Sequence, residues 1–360
     1  MYIFINFLKK VGVFFAVLLL LNVFIYNNLV FNLVLVVTAL CLTDFVFNVV
    51  WHLMPKEMVP NLSDKAVFIT GCDSGFGHQL AKHLEKLGIM VFAGCLFPDG
   101  EGASQLKNSC SEKLKIIQLD VTKEDHVEKS LEIVTSTLQE RNEMLWAVVN
   151  NAGIPSGSEV EWTSMDDFHQ VIDINALGVV RVTRAFLPLL RKSKGRVVIV
   201  TSALGRISIS GLSAYCMSKY AAVALADTLR RELMRCSVSV HTIQPWFYRT
   251  NITDTKMIDR TVARNWEKTP QNVREFYGEG YPAKYKMIGT KLLSIVSRPE
   301  SAVHEVVDSL VHATVGKNPK VCYVPGIVGL MQTKFYSALS DELYDMISNT
   351  IYEKLFNKCS

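Results

Sequence analysis

The sequence predicts an α/β protein: a doubly wound parallel sheet in a single domain, behind N-terminal transmembrane helices. Three observations predict it. From residue 65 onward, short apolar and β-branched runs alternate with amphipathic stretches, the pattern of parallel strands joined by crossover helices. The first of these runs leads directly into a glycine-rich turn. Residues 1–50, by contrast, are almost uncharged.

Composition bounds the function. The chain has 360 residues and a formal net charge of +4, long enough for one large domain or two modest ones with a substantial core. It has no basic cluster interleaved with aromatics, so nucleic acid is not an expected partner. Cysteines at 41, 72, 95, 110, 216, 236, 322 and 359 form no Cys-x-x-Cys pair, which suits free thiols in a reducing compartment. His78, His83, His126, His241, His304 and His312 lack ligand spacing, and no metal is expected.

Lys9 and Lys10 precede an apolar run over 11–26, Asn27 and Asn28 interrupt it, and a second run covers 29–42 and continues past Asp44 to 50. One helix through both would be about 48 Å long at ~1.5 Å per residue, against a hydrocarbon core of roughly 30 Å. Two short spans, or one tilted span with an interfacial helix, fit better. Lys9 and Lys10 before the segment, Lys56 and Lys65 after it, and an uncharged turn between put both ends in the cytosol. Residues 1–52 are therefore expected to anchor the chain, with membrane lipid as a partner, and 53–64, with Pro55 and Pro60, to link it to the catalytic part. A cleaved signal peptide is the alternative, but no small-residue cleavage site is clear. The first arginine is Arg141, so the endoplasmic reticulum is preferred to a mitochondrial membrane, whose presequences are Arg-rich.

Residues 66–70 read as a buried strand, followed by Gly71-Cys72-Asp73-Ser74-Gly75-Phe76-Gly77 and a helix with Leu80, Ala81, Leu84 and Leu87 on one face. Strand, glycine turn and helix start together make a dinucleotide site, in which glycines admit a pyrophosphate to the helix N-terminus. The second strand, 90–95, ends at Cys95 and Leu96, where an acidic residue would select NAD and a basic one NADP. No Lys or Arg is close in sequence and Asp73 adds negative charge to the loop, so NAD is expected over NADP. The third strand, 114–119, ends at Asp120, placed either to accept from an adenine amine or to cap the next helix. A fourth strand, 145–149, ends in Asn150-Asn151-Ala152-Gly153, residues that suit the wall of a ribose or a tight turn.

Ser202 follows the apolar run 197–200, and thirteen residues later come Tyr215 and Lys219. Four apart on a helix, these two share a face. A phenol with an ordinary pKa near ~10 needs help to act as a base at neutral pH, and a neighbouring ammonium favours its phenolate. Tyr215 is the one tyrosine among twelve with Lys four residues on.

The motif at 70–77, Asn-Asn-Ala-Gly at 150–153, Asn175, Ser202, Tyr215 and Lys219 fall in one order at one spacing. The chain resembles the short-chain dehydrogenase/reductase family over roughly 63–330, with its Rossmann-like fold. It looks most like the membrane-associated branch holding retinol dehydrogenases, 17β-hydroxysteroid dehydrogenases, 11β-hydroxysteroid dehydrogenase type 2 and D-β-hydroxybutyrate dehydrogenase. The resemblance implies Tyr215 as acid/base and Lys219 as the residue that lowers its pKa and holds the nicotinamide ribose. It also implies Ser202 on the substrate oxygen, and Asn175 positioning a water in a proton relay. Cofactor contacts would come from Gly71, Ser74, Gly75, Phe76, Gly77, Asp120, Val121, Asn151, Ala152, Gly153, Tyr215, Lys219, Pro245 and Thr250.

One residue departs from the family pattern. Trp246 stands after Pro245 where the family has glycine, and it is expected, with Ser202, to contact substrate by narrowing or redirecting the pocket. Residues 251–289 have the least regular pattern and lie where the family places its substrate lid. Trp266, Val273, Phe276, Tyr277, Tyr281 and Tyr285 there either cover a lipophilic ligand or pack the segment onto the core. The catalytic domain is taken as 65–325 and the apolar, helical tail as 326–360, which could line the pocket, touch the bilayer or join a homo-oligomer. The expected function is an NAD-linked alcohol dehydrogenase or ketone reductase acting on a steroid or sterol. A retinoid comes second and 3-hydroxybutyrate third, with a non-catalytic cofactor-binding membrane scaffold as the rival of another class.

Overall fold

The computed structural model describes residues 31–39, 43, 46, 57–249 and 255–357. Residues 58–337 form one compact unit and the flanking segments another. In the flanking unit, 31–39 is helical and exposed, and helix Asp341–Asn357 opens with Asp341 and Glu342, acidic residues that favour a helix N-terminus. The Ser340 hydroxyl just ahead of that helix makes no hydrogen bond. Among the described residues no helix is long and apolar enough to cross a membrane. The expected anchor lies, apart from those few positions, outside the described residues.

The larger unit holds seven parallel strands: β1 Lys65–Thr70, β2 Met90–Cys95, β3 Leu114–Gln118, β4 Met144–Asn150, β5 Arg196–Val200, β6 Ser239–Ile243 and β7 Cys322–Tyr323. Their order is β3-β2-β1-β4-β5-β6-β7. The chain reverses its direction of winding between β1 and β4, and a crevice opens there at the carboxyl ends of the strands. β1, β2 and β5 are buried almost throughout, as a sheet covered on both faces requires. Helices α1 Gly75–Lys86, α2 Glu101–Ser109, α3 Glu124–Arg141, α4 Met165–Ile172, α5 Gly178–Ser193 and α6 Ser213–Leu233 follow their strands. On one face Val127 and Val134 of α3, Val182 and Phe186 of α5 and Ala226 of α6 pack onto the sheet, where the Phe68 and Phe186 rings stack at 4.4 Å. Helix α10, Val303–Val315, packs with α1 elsewhere in the unit.

The linker joins the opposite end of the strands from that crevice. Val59 N–H donates to Val315 O at 2.8 Å and Lys65 Nζ to Pro60 O at 2.8 Å. Arg196, buried at the start of β5, donates to the carbonyls of Ala313, Thr314 and Gly316 at 3.0, 3.1 and 2.7 Å. Its charge meets the negative end of α10, and burial lowers its pKa to about 10. Residues 251–289, expected to be irregular, are mostly helical where described: α7 Thr255–Lys268, α8 Gln271–Tyr277 and α9 Tyr281–Val296. Tertiary packing supplied what the sequence periodicity did not show. Val262 and Trp266 are buried against Trp162, with Tyr277, Tyr281 and Tyr285 around them. The tail begins with α11, Ile327–Ala338, and the Asp341–Asn357 helix is α12.

Candidate active site

The glycine turn is built from behind by β4. Asn151 Nδ2 donates to the carbonyls of Thr70 and Gly71, each at 2.9 Å. Thr70 Oγ1 in turn accepts from the N–H of Asn151 at 3.0 Å and of Ala152 at 2.9 Å. Gly77 is required by this clamp, because a Cβ there would lie 2.4 Å from Asn151 Nδ2 and 2.6 Å from Gly71 O. Gly71 has φ +70° and faces Ala152 Cα at 2.8 Å by the same measure. Gly75 differs. It has φ +63°, and a Cβ there would meet no atom within 4 Å.

Open space thus lies in front of the turn at the start of α1. Ser74, the residue before α1, bonds none of the helix's first N–H groups through its side chain, which leaves those donors facing a site suited to an anion. The residues present fit a dinucleotide: a pyrophosphate would lie against Gly75 and the N-terminus of α1. Phe76 packs edge-on against Tyr248 at 6.1 Å. Asp120 Oδ1 accepts from Thr122 N and Oγ1 at 2.9 and 2.7 Å, a local turn ahead of α3. Val121 is buried, and a Cβ on Gly178 of α5 would lie 2.7 Å from its Cγ2.

Asn175 sits in a π-helical turn, Asp173–Leu177, between α4 and α5. It is buried, accepts from Ile154 N at 2.8 Å, and donates to Ile154 O and Ser218 Oγ at 3.0 Å each. Its amide therefore fixes the strand-end segment beyond Gly153. The expected water relay would have to start beside these bonds.

Ser202 follows β5, and its Oγ accepts from Leu204 N at 3.1 Å. Ala203 N donates to Pro245 O at 2.9 Å, joining the ends of β5 and β6. On α6, Lys219 Nζ lies 5.6 Å from the Tyr215 ring centroid and donates to Val200 O at 3.1 Å. Gly153 forms the wall beside it, where a Cβ would stand 3.2 Å from Asn175 Oδ1 and 3.6 Å from Lys219 Nζ. The structure thus brings Asn175, Ser202, Tyr215 and Lys219 to the carboxyl ends of the strands.

Burial dominates the electrostatics of the pair. Burial pushes the Tyr215 phenol up to about 12, and a hydrogen bond with Ser202 works the other way. Burial alone lowers Lys219 to about 8. Both shifts arise from lost hydration, and the Ser202 hydrogen bond favours the phenolate.

Trp246 is buried and stacks on Tyr336 of α11 at 6.2 Å with nearly parallel rings, and its Cβ lies close to Gly329. The indole thus joins β6 to the tail. Thr250 lies outside the described residues. A cavity of about 960 Å3, lined by residues including Glu159, Ser208, Gly211, Met217 and Tyr277, contains none of Ser202, Tyr215, Lys219 or Trp246 in its lining. The lid aromatics Trp266, Tyr281 and Tyr285 gather around Trp162, while Phe276 is 81% exposed. Among the described residues, no three His, Cys, Asp or Glu side chains are grouped to hold a metal.

Ile154, Ser218 and Tyr336 were not singled out from sequence, and Thr70 entered only as the first residue of the motif at 70–77. Thr70 carries the one readable signal, a hydroxyl directly before the glycine turn. The other three act through contacts with residues distant in sequence, such as the 43-residue separation between Asn175 and Ser218.

Comparison with known proteins gives concordant results. Residues 65–261 match the family model for short chain dehydrogenase. The chain is 41% identical over 288 residues to mouse "Short-chain dehydrogenase/reductase family 9C member 7", covering 79% of this chain and 89% of that protein. It is 41% identical to mouse "Retinol dehydrogenase 16", covering 75% and 83%. It is 37% identical to bovine "D-beta-hydroxybutyrate dehydrogenase, mitochondrial", covering 79% and 85%. A Burkholderia phymatum short-chain dehydrogenase/reductase solved in complex with NAD shares the fold, with a TM-score of 0.57 at 20% identity over 77% of this chain and 94% of that one.

Proposed function

The chain belongs to the short-chain dehydrogenase/reductase family and is an NAD(P)-dependent oxidoreductase, and from that premise we propose that it interconverts a secondary alcohol and a ketone on a steroid or sterol, using NAD. The observation that carries the chemistry is the convergence of Tyr215, Ser202 and Lys219 beside Gly153, at the strand ends next to the glycine turn.

A dinucleotide held at Gly75 and the N-terminus of α1 would supply hydride acceptance in oxidation and hydride donation in reduction. Ser202 holds the substrate oxygen and stabilises charge that develops on it. Tyr215 takes the hydroxyl proton in oxidation and returns it in reduction. Its pKa, raised by burial to about 12, must fall for it to act as base. The ammonium of Lys219, turned from Val200 O toward the phenol, would lower it. Asn175 keeps Ile154 and Gly153 in place behind Lys219, and a water beside it would complete the proton path.

In this reading residues 65–325 are the catalytic domain, and 1–52 anchor it in the endoplasmic reticulum membrane with its face in the cytosol. A lipophilic substrate reaches such an enzyme through the lipid phase. The aromatic cluster that Trp266, Tyr277, Tyr281 and Tyr285 form around Trp162 supports a large apolar ligand over a short hydroxy acid. A retinoid is the second reading, favoured by the likeness to a protein named for retinol. Turnover of a steroid, retinoid and hydroxy-acid panel with NAD, with Tyr215→Phe as control, tests both. Activity on 3-hydroxybutyrate alone would overturn the lipophilic assignment, and activity surviving in Tyr215→Phe would overturn the proton path.

A further inference from the structure

Nothing at the end of β2 itself explains a preference for NAD. A dinucleotide site of this topology reads the adenosine ribose with an acidic residue at that strand end, but here the strand runs into Cys95, Leu96 and Phe97. The carboxylate found there comes from elsewhere. Asp73, in the glycine turn, accepts from Leu96 N through Oδ2 and from Phe97 N through Oδ1, both at 2.9 Å. A residue 23 positions earlier thus occupies the place that the strand leaves vacant of charge.

We propose that Asp73 is the residue that selects NAD over NADP. This deepens the dehydrogenase reading and rests on it. Two features hold the carboxylate in place. The two amides fix both oxygens and keep the side chain aimed along the strand end. Helix α2 then closes over the backbone of Asp73 so tightly that a Cβ on Gly102 would lie 1.8 Å from Asp73 O. Each carboxylate oxygen retains a lone pair for a ribose hydroxyl, whereas a 2′-phosphate would bring two negative charges against one fixed negative charge.

The remaining charges nearby agree. The structure does bring a cation to this end, Lys107 of α2, which sequence proximity did not show. Its Nζ, however, donates to Pro98 O at 3.2 Å and pairs with Asp99 at 3.8 Å. With Asp73 and Asp99 close to one lysine, the region stays net negative. Asp73's charge is also felt by its neighbours: after burial, it is the next cause holding the Cys95 thiol at about 12, with Lys107 opposing.

The test is cofactor affinity. The full-length protein, Asp73→Asn, Asp73→Ser and Leu96→Arg are titrated with NADH and NADPH, following nicotinamide fluorescence, and melted without cofactor. The wild type is expected to bind NADH at least about tenfold more tightly, with that ratio falling about tenfold in both Asp73 variants as NADPH binding improves. Leu96→Arg, which leaves the Asp73 carboxylate in place, is expected to raise NADPH affinity about tenfold, so a poorly folded Asp73 variant does not remove the test. A merely structural Asp73 would weaken both cofactors alike and lower the melting temperature with the ratio unchanged, which would overturn the proposal. So would a wild type that prefers NADPH, or a silent Leu96→Arg. Binding of neither cofactor by the wild type would overturn the dehydrogenase reading, and this one with it.

Discussion

The ammonium of Lys219 donates to the carbonyl of Val200 at 3.1 Å inside a site that is almost wholly buried. A single carbonyl replaces little of the hydration an ammonium loses, which is why Lys219 titrates near 8 and not at its ordinary 10.5. Between those two values the unfolded chain holds more protons than the folded one, so this group makes stability rise with pH from about 8 to 10.5. Lys219→Met should then abolish turnover and yet raise the stability of the cofactor-free protein at pH 7 by about 3 kcal/mol. The gain should vanish by pH 10.5. Denaturant melts at both pH values check it; a variant less stable at pH 7 would show that the charge is compensated.

Tyr215→Phe keeps the ring and removes the proton carrier. Turnover should fall by about 10²–10⁴, far more than NADH affinity does. The sign of the pH effect on stability is opposite to that of Lys219. The Tyr215 pKa is raised from 10.0 to about 12, so its contribution is complete below pH 10 and is lost as pH climbs through about 12. That alkaline loss should be smaller in the phenylalanine variant.

The glycine turn predicts a separation between two similar substitutions. Gly77→Ala drives a Cβ into Asn151 Nδ2 and Gly71 O, and should destabilise the fold by about 1–3 kcal/mol. Gly75→Ala meets no protein atom but sits at φ +63°, so it should cost about 1–2 kcal/mol while its methyl blocks the pyrophosphate. The ratio of affinity loss to stability loss, from cofactor titration and melting, should be larger for Gly75→Ala.

Trp246→Gly removes the ring that stacks on Tyr336. A loss of about 3–5 kcal/mol is expected from the cavity, together with faster hydrogen exchange over 327–337. Unchanged exchange there would show that the tail is held by other contacts. A change in substrate range in the same variant would establish that the indole shapes the substrate pocket as well.

The alternation of buried runs and amphipathic stretches located the first five strands within about two residues, because strand and helix periodicities are local properties of a chain. Tyr215 and Lys219 could be paired for the same reason: four residues on one helix fix their common face. The glycine turn was equally legible, since φ near +63° or +70° selects for glycine whatever surrounds it. What only the tertiary structure decided are relations between residues far apart in sequence. The Asn151 clamp on Thr70 and Gly71, the turn of Lys219 toward Val200, the stacking of Trp246 on Tyr336 and the gathering of the α7–α9 aromatics around Trp162 are all of this kind. Asp73 is the clearest case. Its sequence position assigned its charge to the phosphate loop, while the parallel pairing of β1 with β2 carried its carboxylate to the amides of Leu96 and Phe97. Which residue stands beside which, across a sheet, depends on strand order and register, and these are set by long-range packing that no local pattern encodes.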